Sequence, residues 1–199
     1  MVTAMNKGEQ TRQRILREAA ALFNQRGYAG CSMQDVMAAT GLEKGGLYRH
    51  FSSKEELAGE AFRYALGNAN RVRMEELDRV RGSVERLRCV VRGFAEAASG
   101  TPGGCPLMNT AVDADDGNPL LRKLALEGIS AWKAKLERIV REGKRRGEIR
   151  REVEPRRIAN TMIATLEGGL MISRLEGNQR ALEDARASLE MLLDGITLP

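Results

Sequence analysis

A single histidine, His50, serves the whole 199-residue chain. There is therefore no second imidazole for a Cys-His dyad, a Ser-His triad or a histidine metal site. Cysteine is equally scarce: Cys31, Cys89 and Cys105 are odd in number and match no zinc or redox spacing. That argues against a disulfide framework and fits thiols kept in a reducing compartment. No apolar run approaches the roughly 18–20 residues that a membrane span needs, and the N-terminus lacks the charged, apolar and cleavage segments of a secretory signal. The expectation is a cytoplasmic protein with no membrane partner. No phosphate-cradling glycine loop and no internal repeat are present, and strand signals are few. The acidic run Asp113-Ala114-Asp115-Asp116 lacks the spacing of a calcium loop and reads as a solvated connector. No metal and no cofactor is expected, and an enzyme is the weakest of the competing function classes.

What the chain does have is apolar material for a full core, 42% of its residues, and an uneven charge. Residues 1–54 hold eight Lys or Arg (Lys7, Arg12, Arg14, Arg17, Arg26, Lys44, Arg49, Lys54) against four acids (Glu9, Glu18, Asp35, Glu43), a balance of +4 out of the chain's +5. A basic module on a nearly neutral body steers toward a polyanion and gains affinity by releasing its counterions.

Within that module, Ser32 and Asp35 stand at capping-box spacing, so a helix should begin at Met33. Val36, Met37 and Ala39 give it an apolar face, and Gly41 can take the left-handed conformation that ends it. After a turn from Thr40 to Lys44, Leu47 and Phe51 lie four apart on one face of a second segment. Lys44, Gly45, Gly46, Tyr48, Arg49 and His50 are left to point elsewhere, a set rich in groups that bind nucleic acid. Ser52-Ser53-Lys54-Glu55-Glu56 then signals another helix start, through Ser52 and Glu55 or Ser53 and Glu56. A preceding helix, from Glu9 or Gln10 to Arg26, ends at Gly27. Together these helices should share a core of Ile15, Ala19, Leu22, Phe23, Val36, Leu47 and Phe51. Arg12 lies on the opposite side, within reach of a phosphate.

The run Gly-Leu-Glu-Lys-Gly-Gly-Leu-Tyr-Arg-His-Phe-Ser-Ser-Lys-Glu-Glu-Leu, preceded by a helix ending Ala-Leu-Phe-Asn-Gln-Arg-Gly-Tyr, closely resembles the DNA-binding domain of TetR-family transcriptional regulators. The motif match covers about residues 10–58. The resemblance implies an all-α fold of about nine helices. A three-helix helix-turn-helix domain occupies residues 1–54, and a helical effector-binding and dimerisation domain occupies 55–199. It places Lys44, Gly45, Gly46, Tyr48, Arg49, His50 and Lys54 toward DNA, with Ser32, Met33 and Gln34 near the DNA backbone. Lys54 at a helix N-terminus should clamp a phosphate, and Tyr48 and His50 can donate to phosphate oxygens. Gly45 and Gly46 permit close backbone approach, while Lys44 and Arg49 can reach guanine O6 and N7.

Beyond Lys54 the chain breaks at Gly82-Ser83, Ser99–Gly104, Asp113–Pro119, Arg146-Gly147 and Gly177-Asn178, giving six further helices. One of them is a short helix near Leu107–Val112. By the resemblance, the last two helices, about Pro155–Glu176 and Gln179–Ile196, form half of a four-helix homodimer interface. Ile158, Met162, Leu166, Gly169, Leu189 and Leu193 are the interface candidates; the alternative is that these stripes complete the core of one chain. A dimer would present two recognition helices to half-sites about 34–36 Å apart, hence a palindromic operator on double-stranded DNA. Phe94, Leu107, Met108 and Trp132 are candidates to line the site of a small-molecule effector. The segment Gly-Gly-Cys-Pro-Leu-Met-Asn at 103–109 is similar to one in a TetR subgroup, some of whose members respond to electrophiles or oxidants through its cysteine. A helix N-terminus beside Cys105 would raise its thiolate fraction. The function expected is a repressor released from its operator by a small molecule or an electrophile. The alternatives are a non-specific or architectural DNA-binding protein, or an enzyme.

Overall fold

The computed structural model describes residues 6–96, 100–114 and 117–198. Asp115 and Asp116 of the acidic run and Ser99 of the second break lie outside the described residues. Nine α-helices occur among the described residues: α1 (Lys7–Arg26), α2 (Met33–Thr40), α3 (Lys44–Tyr48), α4 (Lys54–Arg73), α5 (Ser83–Glu96), α6 (Pro106–Asp113), α7 (Pro119–Arg146), α8 (Pro155–Glu176) and α9 (Arg180–Ile196). The only strand-like pairing among them is a single bridge between Ile149 and Thr197. No helix among the described residues is long and apolar enough to cross a membrane.

Local chemistry sets the helix ends. α1 starts two to three residues earlier than its apolar periodicity indicates, because the Asn6 side chain accepts the Glu9 N–H at 2.8 Å and caps it. At α7 the Asn118 side chain accepts the Leu121 N–H at 2.9 Å, with Pro119 in the first turn. Each such cap stabilises its helix by about 1 kcal/mol.

The chain divides into two compact units, residues 1–69 with 99–126, and residues 70–98 with 127–199. In the first, Ile15, Ala19, Val36, Leu47 and Phe51 are buried together as the spacing predicts, while Leu22 and Phe23 sit partly buried at the rim. The cluster also takes Leu16 and Ala20 from α1 and Leu57, Ala61 and Ala65 from α4. Phe51 is 1% exposed; truncating such a ring to alanine costs about 3–5 kcal/mol. In the second unit α5, α7, α8 and α9 bury one continuous cluster, with Leu87, Val91, Leu136, Ile139, Met162, Leu166, Leu189 and Leu193 at its centre.

Candidate nucleic-acid interface

α2 is held at both ends. Ser32 Oγ accepts the Asp35 N–H at 3.2 Å, and the Asp35 carboxylate accepts the Ser32 N–H at 2.7 Å and the Ser32 hydroxyl at 2.5 Å. This is the reciprocal capping box expected from the sequence. The hydrogen bonds from Ser32, helped by the nearby Arg26, hold the Asp35 carboxyl below the usual carboxylate range. At the other end Gly41 adopts φ 65°, ψ 23°, a left-handed conformation that L side chains adopt at a cost, and so directs the chain into α3. Of the two candidate caps for α4, the structure uses Ser53 and Glu56. Ser53 Oγ accepts the Glu56 N–H at 3.1 Å, and Glu56 accepts the Ser52 N–H at 2.8 Å and its hydroxyl at 2.5 Å. The same bonds hold the Glu56 carboxyl low.

With Leu47 and Phe51 buried, α3 exposes Lys44, Gly45, Tyr48 and Arg49, while Gly46 and His50 are half-buried. Lys44 Nζ stands 5.9 Å from the Tyr48 ring centroid. Among the described residues the Arg49 guanidinium has no ion-pair or hydrogen-bond partner. Arg12 does have partners: it bonds Glu60 and lies 5.0 Å from the centre of the Phe51 ring, so its charge is already committed within the fold. Lys54 opens α4, with Nζ 4.0 Å from the centroid of the Tyr28 ring. Ser32 and Gln34 are exposed at the start of α2 and Met33 is half-buried.

The glycines of α3 are informative because nothing inside the protein requires them. A Cβ on Gly45 would meet no atom within 4 Å, and one on Gly46 would touch only Leu42 side-chain atoms at 3.6 and 3.8 Å, ordinary contact distances. Neither has a positive φ. Packing against the described residues therefore does not account for the two glycines on this exposed segment.

The other sequence candidates fall as follows. Phe94 and Trp132 stack in the second unit, with ring centroids 5.6 Å apart, and the Arg73 guanidinium lies 4.0 Å from the Phe94 centroid. Cys105, Leu107 and Met108 belong to the first unit. Cys105 is the N-cap residue of α6, 2% exposed. Burial pushes the Cys31 and Cys89 thiols up, away from the reactive thiolate. A cavity of about 270 Å³ in the second unit is lined by Val72, Arg73, Glu75, Glu76, Cys89, Arg92, Gly93 and Glu96, none of which the sequence marked.

Ile158, Met162, Leu166, Leu189 and Leu193 are buried in the second unit's own core. Gly169 faces α9 of the same chain, where an added Cβ would stand 2.7 Å from Ala185 Cβ and 3.0 Å from the Ala181 carbonyl oxygen. The apolar side chains that α8 and α9 leave exposed are others: Met171, Ile172 and Leu175 on α8, and Met191 on α9. Helical spacing alone does not separate the two faces, because both are apolar.

Residues 15–61 match the family described as "Bacterial regulatory proteins, tetR family", and residues 83–189 match "Tetracyclin repressor-like, C-terminal domain". The chain is 28% identical to the HTH-type transcriptional repressor DhaR of Mycobacterium sp. (strain GP1) over 173 residues, 86% of each chain. Its fold matches a TetR transcriptional regulator from Chloroflexus aurantiacus J-10-FL with a TM-score of 0.92 at 42% identity, covering 98% of this chain and 100% of the other. A TetR-family regulator from Cytophaga hutchinsonii matches with a TM-score of 0.89 at 36% identity, covering 99% and 100%.

Proposed function

Because the chain belongs to the TetR family and is a helix-turn-helix DNA-binding transcriptional regulator rather than an enzyme, we propose that it is a cytoplasmic homodimeric repressor released from a palindromic operator by a small-molecule or electrophile effector. In this reading residues 1–54 carry the DNA contacts and 55–199 the effector and dimer functions. The observation that carries it is the exposed α3 surface, where Gly45 and Gly46 leave space that no protein atom fills and Arg49 keeps its guanidinium uncommitted. Arg49 and Lys44 then read base edges, while Tyr48, His50 and Lys54 hold phosphates, with Ser32, Met33 and Gln34 beside the DNA backbone.

The second copy would cover Met171, Ile172, Leu175 and Met191, with the buried Ile158, Met162, Leu166, Leu189 and Leu193 acting as the rigid backing of that surface. Effector binding would shift α4, and with it the separation of the two recognition helices. Such coupling is reciprocal, so DNA should weaken effector binding by the factor by which effector weakens DNA binding. For an α,β-unsaturated carbonyl electrophile the reacting group is Cys105: its thiol gives up a proton to solvent, the sulfur adds to the β-carbon, and the electron pair of the carbon–carbon double bond takes up a proton at the α-carbon; Cys105→Ser should then retain DNA binding under graded alkylation that releases the wild type.

Selection from a random duplex library tests the central reading. Enrichment of a palindrome with half-sites about one helical turn apart is expected. Equal binding to every duplex, with a steep salt dependence, would instead indicate an architectural protein.

A further inference from the structure

We propose that Asp113, at the end of α6, is a positioning residue for DNA binding: it holds the turn whose aromatic ring supports the Lys54 ammonium. Asp113 Oδ2 accepts the Tyr28 N–H at 2.7 Å, a charge-assisted bond to the first backbone donor beyond the α1 cap. The carboxylate lies so close to Gly27 that a Cβ there would stand 2.6 Å from Oδ1, and Gly27 has φ 76°. This turn therefore accepts the Asp113 contact only with glycine at position 27. One residue on, the Tyr28 ring carries Lys54 Nζ at 4.0 Å from its centroid, an attraction between the cation and the negative ring face.

A second tie fixes α6 against α1 in the same unit. Asn109 Nδ2 shares its two hydrogens among the Asn24 carbonyl at 3.0 Å, Asn24 Oδ1 at 3.0 Å and the Gly103 carbonyl at 2.8 Å. Asn24 Nδ2 in turn donates to the Pro102 carbonyl at 2.8 Å and that of Gly104 at 3.3 Å. These bonds satisfy a carbonyl in the last turn of α1 and set the register of α6, so that Asp113 arrives at Tyr28 rather than elsewhere. The position of the Lys54 ammonium thus depends on α6 through the Gly27-Tyr28 turn.

The inference rests on the reading that Lys54 contacts a DNA phosphate, and the experiment separates the two. Binding to the duplex recovered by library selection is titrated between 50 and 200 mM salt for wild type, Lys54→Ala, Asp113→Ala, Asp113→Asn, Tyr28→Leu and the Lys54→Ala/Asp113→Ala pair, with thermal melting alongside. Lys54→Ala should lower the slope of log K against log salt by about 0.9, the value of one phosphate contact. Asp113→Ala and Tyr28→Leu should each remove a similar part of the slope. Asp113→Asn should restore it, because the amide oxygen still accepts the Tyr28 N–H. The double variant should bind within about twofold of Lys54→Ala alone, since the two changes remove one contact. A wild-type slope in Asp113→Ala, or in Tyr28→Leu should Asp113→Ala not fold, beside a reduced slope in Lys54→Ala, would overturn the inference alone. A wild-type slope in Lys54→Ala would overturn the phosphate contact and the inference with it.

Discussion

Adjacent glycines interrupt two helices of this chain, Gly45-Gly46 in α3 and Gly168-Gly169 in α8, and in a helix interior each gives up about 1 kcal/mol relative to alanine. In α8 the explanation is internal for one member of the pair. Gly169 lets α9 approach until Ala185 and the Ala181 carbonyl occupy the space of a side chain, and Leu182 and Leu189 of α9 are buried. In α3 neither glycine meets the protein at less than ordinary contact distance. Two glycine pairs that look alike as letters therefore sit in different surroundings: packing within the chain requires Gly169, whereas no neighbouring atom requires Gly45 or Gly46. Gly168 sides with α3, since nothing lies within 4 Å of its missing Cβ and its neighbours Met171 and Ile172 are exposed.

Alanine scanning across these positions gives the sharpest test. Gly169→Ala should destabilise the fold by about 1–3 kcal/mol, because the atoms it meets include α9 backbone that has little room to yield; a denaturant midpoint equal to wild type would show that α8 and α9 are less tightly apposed. On the DNA side, Arg49→Ala should leave stability within about 0.5 kcal/mol but relax preference at one base pair by about 1–3 kcal/mol, read by competition among single-base operator variants. A uniform loss across those variants would make Arg49 a phosphate ligand. Gly45→Ala should show opposite signs in two assays: a gain in stability of about 0.4–1 kcal/mol with weaker operator binding. A stability gain with unchanged binding would remove the DNA-facing role proposed for that glycine. Gly168→Ala should gain stability by a similar amount in one chain while weakening self-association, as followed by sedimentation.

The smallest expected effect is on pH dependence. Asp35 and Glu56 are held below their unfolded values by bonds from the Ser32 and Ser52 side chains and backbones. Their contribution is therefore present above the ordinary carboxylate range and is lost as the pH falls through and below about 4. Ser32→Ala together with Ser52→Ala should flatten the acid limb of a melting-temperature profile, and an unchanged limb would show that both caps contribute nothing measurable.

Much of this was legible in the residues. Ser32 with Asp35, Gly41, Asn118-Pro119 and Gly177 are local signals: each acts within three or four positions, so its meaning does not depend on the rest of the fold. Ile15, Val36, Leu47 and Phe51 follow from a helical period and bulky apolar side chains. The Asn6–Glu9 cap was also present as a signal, but the apolar period that draws attention to α1 begins only further along. Ala61 and Ala65 carry no such mark, because alanine suits buried and exposed helix faces alike. Asp113 read as part of a solvated acidic run, since its partner, the Tyr28 N–H, is 85 positions away. The same holds for Asn24 and Asn109, polar residues whose buried bonds exist only when α1 and α6 are packed.

The sequence by itself determined the helical segmentation, the basic helix-turn-helix and the side chains proposed to meet DNA, because caps, turns, periodicity and charge act over short stretches of chain. Only the tertiary structure decided which apolar stripe of α8 and α9 is used up inside one chain and which remains exposed. It also decided which cations are already paired, as Arg12 is with Glu60, and which have no partner among the described residues, as Arg49 does. The physical reason is that burial and pairing are properties of two surfaces brought together, and a residue's letter specifies only one of them.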